Sequence, residues 1–288
     1  MEHTKYVIAL REVGKVGPKG FQQLILSFGS PQNVFKASLD EIANLPRFSR
    51  EKAEEIHRSS EKLQEIEEHI LYLEEQGIGI VTVLDENFPS LLEKIDDPPP
   101  LLYYKGEFPI EEKNFVAVVG THKATEEGIS EGVRWGKKLV ENDVVVVSGL
   151  ALGIDASAHL GAITGGGRTY AVLGSGLNRV YPEDNIPLAS QIEKQGALIT
   201  EYALNVPVKI GQLMARNRIV VGLSMAVIVV EMEKENSGSM DAAEKAFEQG
   251  KPVFVIRKKD SQGVESLVVK GAIPIDGVEE IDLVLKYL

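Results

Sequence analysis

Val144 to Ile163, VVVVSGLALGIDASAHLGAI, is the most informative stretch of the chain. Val144–Val147 are β-branched and apolar on both faces, as a central parallel strand covered by helices requires. Ser148-Gly149 ends the strand, and Gly153 lets the backbone bend before a helix opening near Asp155. With Asp155 as N-cap, the free N–H groups of the helix's first turn would point toward whatever occupies the crevice beyond the strand. A strand–glycine–helix unit is common among α/β proteins, so its meaning depends on what surrounds it.

The same alternation continues on both sides. FVAVV and a helix over 125–141 precede the stretch; a helix over 155–164, TYAVL, a helix over 187–195 and ALITE follow it. A further helix near 216–223 leads to MAVIVVE, a helix over 239–249, PVFVI and a final helical stretch. This pattern predicts an α/β fold: a doubly wound, Rossmann-like, mostly parallel sheet over 113–288. Right-handed crossovers would gather the carboxyl ends of the strands on one edge. Those ends read Gly120-Thr121-His122, Ser148-Gly149, Gly174-Ser175-Gly176, Glu201 and Glu231. Three are small and glycine-rich, as a crevice for a phosphate-bearing ligand needs, and two are carboxylates.

Ahead of this core, residues 1–76 read as a small helical domain. A glycine-rich turn, Val13–Gly20, precedes the short amphipathic FQQLILSF; Ser38 is an N-cap, and one long helix is expected from about Arg50 to Glu75. The segment resembles helix-hairpin-helix or SAM-like modules, although its second turn lacks paired glycines and the region carries no net positive charge; a packing or protein-interaction module is the competing reading. Residues 77–112 form an acidic, proline-rich connector, stiffened at Asp96-Asp97-Pro98-Pro99-Pro100, with strands expected at Gly79–Val83 and Leu101–Tyr104 and a boundary near 112.

The 288 residues are enough for two domains, and 43% hydrophobic with 26% charged residues is an ordinary globular balance. The absence of cysteine excludes disulfides, thiolate zinc sites and cysteine nucleophiles. No apolar run approaches the roughly 20 residues that cross a bilayer, and no signal-peptide pattern opens the chain, so a cytoplasmic location without membrane insertion is expected. The net charge of −12 argues at first against nucleic acid. Its distribution removes that objection: residues 71–112 alone carry −8, and residues 113–288 only −3.

Gly149-Leu150-Ala151-Leu152-Gly153 is not GxGxxG, and no GK[ST] follows a strand, so dehydrogenase and P-loop ATPase chemistry are set aside. No metal site, cofactor or catalytic group is assigned. Asp155 and His159 share a helix face and read as pocket architecture, a cap and a buried histidine, in preference to a catalytic pair. Glu201 and Glu231 are read the same way, as acceptors for backbone or arginine donors, with acid/base work as the alternative. Arg216-Asn217-Arg218, at the start of an apolar helix, would hold a phosphate or a base, unless Arg218 forms a salt bridge to Glu231 or Glu201. Ser237-Gly238-Ser239 offers a further helix N-terminus, with ordinary capping by Ser239 as the competing role.

VVGTHKATEEG, VVSGLALGIDASAHLGAI, YAVLGSGLNRVYPEDN, ITEYALNVP, RNRIVVGLS, VIVVEMEKENSGSMDAAEKAF and GKPVFVI occur in that order, preceded by ENFPSLLEKIDDPPPLLYYKG. Together they resemble the DprA/Smf family of DNA-processing proteins over nearly the whole chain. The resemblance implies a Rossmann-like core that binds single-stranded DNA and loads RecA recombinase onto it in natural transformation (competence), acting as a homodimer and not as an enzyme. It would place DNA contacts on Gly120, Thr121, His122, Lys123, Gly149, Leu150, Gly153, Gly174, Arg179, Arg216, Asn217, Arg218, Ser237 and Gly238, with dimer contacts at Leu267 and Val268. Tyr181 is a candidate for base stacking. The family usually has arginine where His122 stands and Phe-Pro-Arg where Leu213-Met214-Ala215 stand; Arg257-Lys258 and Glu265 depart from it too, and the C-terminal winged helix of many members is not seen. Lys123 adds charge beside His122 but lacks the planar guanidinium fork. Two other functions stay open: a nucleotide-derivative sensor or hydrolase in the same crevice, and a RecA-binding scaffold with weak DNA binding.

Overall fold

The structure is a computed structural model that describes residues 3–108, 114–232, 237–257 and 261–288. It forms two compact units: Met1–Phe88 with Asp96–Tyr103, and Pro89–Ile95 with Tyr104–Leu288. The stretch 77–112 is therefore divided between the units. The boundary expected near 112 and the departure at Lys258 lie outside the described residues.

The first unit contains α1 (Thr4–Ile8), a π-turn at Ala9–Val13, α2 (Pro18–Phe28), α3 (Pro31–Lys36), α4 (Leu39–Ala43), α5 (Arg50–Ser59), α6 (Leu63–Glu75) and β1 (Ile78–Thr82). Ser38 does cap α4, through a capping box with Glu41. The single helix expected from Arg50 to Glu75 is interrupted by a 3₁₀ turn at Ser60–Lys62, where the Ser59 and Ser60 hydroxyls donate to the carbonyls of Ile56 and His57. These local bonds compete with the regular helical ladder. Leu10, Phe21, Leu24, Ile42, Ile56 and Leu73 are fully or almost fully buried and form its core.

The second unit begins with α7 (Ser90–Glu93), and β2 (Leu101–Gly106) leads the chain into it from the first. Then come β3 (Phe115–Val119), α8 (Glu126–Val140), β4 (Val145–Ser148), α9 (Ile154–Thr164), β5 (Thr169–Val172), α10 (Ile186–Gln195) and β6 (Gly196–Thr200). They are followed by α11 (Ile210–Leu223), β7 (Ala226–Val229), α12 (Gly238–Glu248), β8 (Val253–Ile256), α13 (Gln262–Val269), β9 (Ile273–Ile275) and α14 (Ile281–Leu285). In the sheet β3 to β9 run in the order β6-β5-β4-β3-β7-β8-β9, and each adjacent pair is parallel. The fold is the α/β, doubly wound, mostly parallel architecture that the alternation predicts.

The connection leaving β3 winds one way to β4, while the one leaving β7 winds the other way to β8. Their carboxyl ends diverge and open a crevice, which is where such sheets bind ligands. Trp135, Leu139, Val146, Ala158, Ile228 and Phe254 belong to the core around the central strands. The layer of α8 against α9 is unusually close. A Cβ on Gly136 would lie 2.1 Å from the Ala158 carbonyl oxygen, and one on Gly161 would lie 2.2 Å from that of Val133.

One boundary differs from the sequence expectation in a way that matters. Helix α11 starts at Ile210, not near Arg216: Gly211 falls within its first turn, and Gln212, Leu213, Met214 and Ala215, all good helix formers, carry it on. The RNR triplet therefore sits in the second and third turns of α11, away from its free N–H groups.

Candidate functional site

The crevice at the ends of β3, β4 and β7 has a volume of about 510 Å³. The turn after β3 contributes Gly120, Thr121, His122 and Lys123, and the start of α12 contributes Ser237, Gly238 and Ser239. The loop after β4 contributes Gly149, Ala151 and Leu152, while Arg216 and Asn217 come from α11. The remaining side is apolar, made by Tyr181, Pro182, Ile210, Leu213 and Met214.

The β4–α9 loop is held by a carboxylate. Asp155 is not the N-cap; Gly153, at φ 73°, takes that position, and Asp155 lies one residue inside the helix. Its Oδ2 turns back to accept the N–H groups of Gly149 at 3.1 Å and Ala151 at 3.4 Å. The N–H groups of Ile154, Ala156 and Ser157 are bonded to the carbonyls of Thr121, Ala151 and Gly153. The helix thus does not offer the crevice the free first turn expected of it. Leu150 pays for the turn with a left-handed φ of 59°, is buried, and its carbonyl accepts from Asn185 Nδ2 at 2.9 Å. Burial pushes the Asp155 carboxyl up, while Arg216 and the Ala151 and Gly149 N–H groups oppose that push.

The two arginines of α11 have separate environments. Arg218 forms a two-pronged pair with Glu201, at 3.0 and 2.9 Å, with both side chains buried. It does not line the crevice, and the competing salt-bridge reading describes its geometry. Arg216 lies at the floor, only 5% exposed. Nη1 donates to the Val172 carbonyl at 2.9 Å and Nε to that of Leu213 at 3.3 Å. Among the described residues Nη2 meets no hydrogen-bond partner. Gly149 is what makes room: a Cβ there would lie 1.4 Å from Arg216 Nη1. Burial pulls this guanidinium below its usual range, more than Asp155, Asp241 and Tyr202 hold it up. A cation so placed is stabilised by any anion that reaches it.

Asn217 donates to the Gly238 carbonyl at 3.1 Å and to Asp241 at 2.8 Å, tying α11 to the start of α12. Ser237, not Ser239, caps α12, accepting from Met240 N–H at 3.2 Å. Thr121 Oγ1 accepts from Lys123 N–H at 3.1 Å; the side chains of His122 and Lys123 are exposed at the rim.

Other expected residues stand outside the crevice. Glu231 accepts from the backbone and hydroxyl of Thr125, the N-cap of α8. His159 is wholly buried; its Nδ1 lies 2.6 Å from Thr169 Oγ1, and burial pushes its pKa down to about 3. Since Thr169 Oγ1 donates to Val146 O, the imidazole N–H donates to the hydroxyl. Neither residue lines the crevice. Gly174 packs against Leu213, and Arg179 is exposed beyond the lining. Leu267 is buried in the unit's own core, facing inward with Gly263 and Val264 on α13, whereas Val268 and Val269 face solvent. The apolar rim residues Leu152 and Ile210 and the buttress Asn185 were not anticipated; an isolated isoleucine between Lys209 and Gly211 was the available signal for one of them. Among the described residues no group of three or more histidine or acidic side chains could hold a metal ion, and no helix is long and apolar enough to cross a membrane.

The arrangement sets a buried arginine at the floor of the crevice and an apolar wall beside it. Protein Smf of Synechocystis is 34% identical over 282 residues, covering 93% of this chain and 69% of its own length. DNA processing protein DprA of Streptococcus pneumoniae is 38% identical over 217 residues, 74% of this chain and 76% of its own. The X-ray structure of that DprA superposes with a TM-score of 0.77 at 31% identity over 96% of both chains. A structure of DNA processing protein A from Helicobacter pylori, described for its single-stranded DNA binding mode, gives 0.65 at 29% identity over 73% of this chain and 97% of that one. A family model described as DNA recombination-mediator protein A matches residues 79–286. The chain belongs to the family of DNA recombination-mediator protein A.

Proposed function

We propose that this protein binds single-stranded DNA in the β3–β4–β7 crevice and delivers it to a RecA-type recombinase, as a homodimer, in the uptake of transforming DNA. The observation that carries the DNA-binding reading is Arg216: a buried guanidinium at the floor, with Nη2 unengaged among the described residues, beneath a loop whose Gly149 leaves it room. Lys123 adds a positive charge at the rim and His122 an imidazole beside it, and phosphates there would gain from the lysine's charge. Family membership and the described subject of the Helicobacter pylori structure support the same ligand. Arg218, tied to Glu201, contributes only by holding α11 in place.

Contacts to phosphate make binding salt-dependent and largely independent of sequence. Fluorescence anisotropy of a labelled oligo-dT across a salt series tests this, with a slope of roughly −0.7 in log K per log salt for each phosphate held. Absence of binding at low salt, or binding indifferent to salt, overturns the reading. Delivery to the recombinase is tested by a RecA pull-down, and dimerisation by light scattering of Val268→Asp beside the parent chain. A chain that captures RecA but not the oligonucleotide would favour the scaffold reading.

A further inference from the structure

Two features of the crevice go beyond what a groove for a continuous polyanion requires. The cation is at the bottom: Arg216 is 5% exposed, so a phosphate must descend to reach it, whereas a strand lying across the surface meets His122 and Lys123 first. The wall beside it is apolar, from Leu152, Tyr181, Ile210, Leu213 and Met214, with Tyr181 half exposed and Ile210 at 84% exposure. An unpaired donor at the floor and an apolar face of about ring size beside it are complementary to one phosphate and one base. The volume, about 510 Å³, lies within the roughly 300–1,000 Å³ of small-ligand sites. The place, where connections diverge from β3 and β7, is the one at which open α/β sheets take nucleotides. A second set of anion donors opens onto the same space at the start of α12, where Ser237, Gly238 and Ser239 line the crevice.

We propose that the crevice is a site for a nucleoside 5′-monophosphate, its phosphate on Arg216 and the α12 N-terminus and its base against the Tyr181–Met214 wall. The group is supplied either by a free nucleotide or by the 5′-phosphorylated end of a strand. A terminal phosphate carries more charge than a bridging one, so the buried guanidinium holds it more tightly. Hydrolysis is not part of the proposal: Asp155, the carboxylate nearest the floor, is engaged by the Gly149 and Ala151 N–H groups.

Isothermal titration of the full chain with thymidine 5′-monophosphate, thymidine and inorganic phosphate tests the site, alongside pentathymidylate with and without a 5′-phosphate. The monophosphate is expected to bind at least about tenfold more tightly than thymidine or phosphate, since each fills only half of the site. Arg216→Lys, which keeps the charge but loses the fork, is expected to weaken it by about tenfold. Tyr181→Ala, at a half-exposed position that leaves the fold intact, should weaken the monophosphate and leave inorganic phosphate unchanged. A 5′-phosphate that strengthens pentathymidylate binding identifies the strand end as a source; no strengthening, with the free nucleotide still bound, identifies the free nucleotide. The proposal is overturned if the monophosphate gives no heat, if thymidine binds equally well, or if both variants bind it as the parent does. Oligonucleotide binding without monophosphate binding overturns this site and leaves the DNA reading standing; the reverse outcome overturns the DNA reading alone.

Discussion

Two glycine-rich turns lead into helices in this chain, and they behave oppositely. The turn at Val13–Gly20 enters α2 through Gly17, whose φ of −74° and ψ of 170° suit any residue, and a Cβ there would meet nothing within 4 Å. Its N–H groups serve their own segment, Gly14 bonding Ala9 O and Val16 bonding Leu10 O. The turn at Gly149–Gly153 is packed at both ends: Gly149 faces Arg216, Gly153 faces the Thr121 carbonyl, and Asp155 ties the loop from within. The difference teaches that packing demands glycine in a turn before a helix only where groups from other elements crowd it. The first is a terminus built for folding; the second is shaped around a cation.

Substitutions at the two turns should separate them. Gly149→Ala is expected to have the largest effect, because the added carbon must displace the Arg216 guanidinium. Overpacking of this kind costs roughly 1–3 kcal/mol, read from the urea midpoint, and oligonucleotide affinity should fall with it. Arg216→Gln should reduce that affinity by at least about tenfold in anisotropy, a charge-assisted contact being worth about 1.5–3 kcal/mol. Asp155→Asn keeps the shape but exchanges an acceptor oxygen for a donor beside two N–H groups; a loss of about 1–3 kcal/mol in thermal unfolding is expected. Gly17→Ala should lie within about 0.5 kcal/mol of the parent, and a larger loss would show that the first turn is as constrained as the second.

The loop's helix also gives the unit an acid sensitivity. His159 stays neutral in the folded chain down to about pH 3, whereas the unfolded chain takes up the proton near 6.5. The folded pKa is the lower, so the unfolded state binds more protons within that window, and stability falls as the pH drops from 6.5 toward 3. His159→Gln should flatten the decline of urea midpoints measured at pH 7.5, 5.5 and 4.5. Equal slopes in parent and variant would assign the acid lability elsewhere.

Much of this was legible in the sequence. The valine runs and their spacing specify a parallel sheet, because strands buried on both faces tolerate little else. The glycines and small residues at the strand ends place the crevice. What was not legible is direction. Asp155 has the identity of an N-cap, but the positive φ available to Gly153 moves the cap back by two residues and turns the carboxylate onto the loop. Arg216 and Arg218 are two apart and identical in type. Helical geometry sends one toward Glu201 and the other under Gly149, a division that depends on neighbours distant in the chain. Nor does local propensity show where α11 begins: Gly211 would delay the start, yet the helix runs from Ile210 through it.

The contact of α8 with α9 has a kinetic consequence. These helices come backbone to backbone at Gly136–Ala158 and Gly161–Val133, where added side-chain atoms would clash. One follows the Thr121 turn and the other the Gly149 loop, so two walls of the crevice are the leading ends of a single fused pair. Neither of these two walls swings without the other. Association should therefore follow one exponential whose rate rises linearly with ligand concentration, without the plateau that a preceding conformational step imposes.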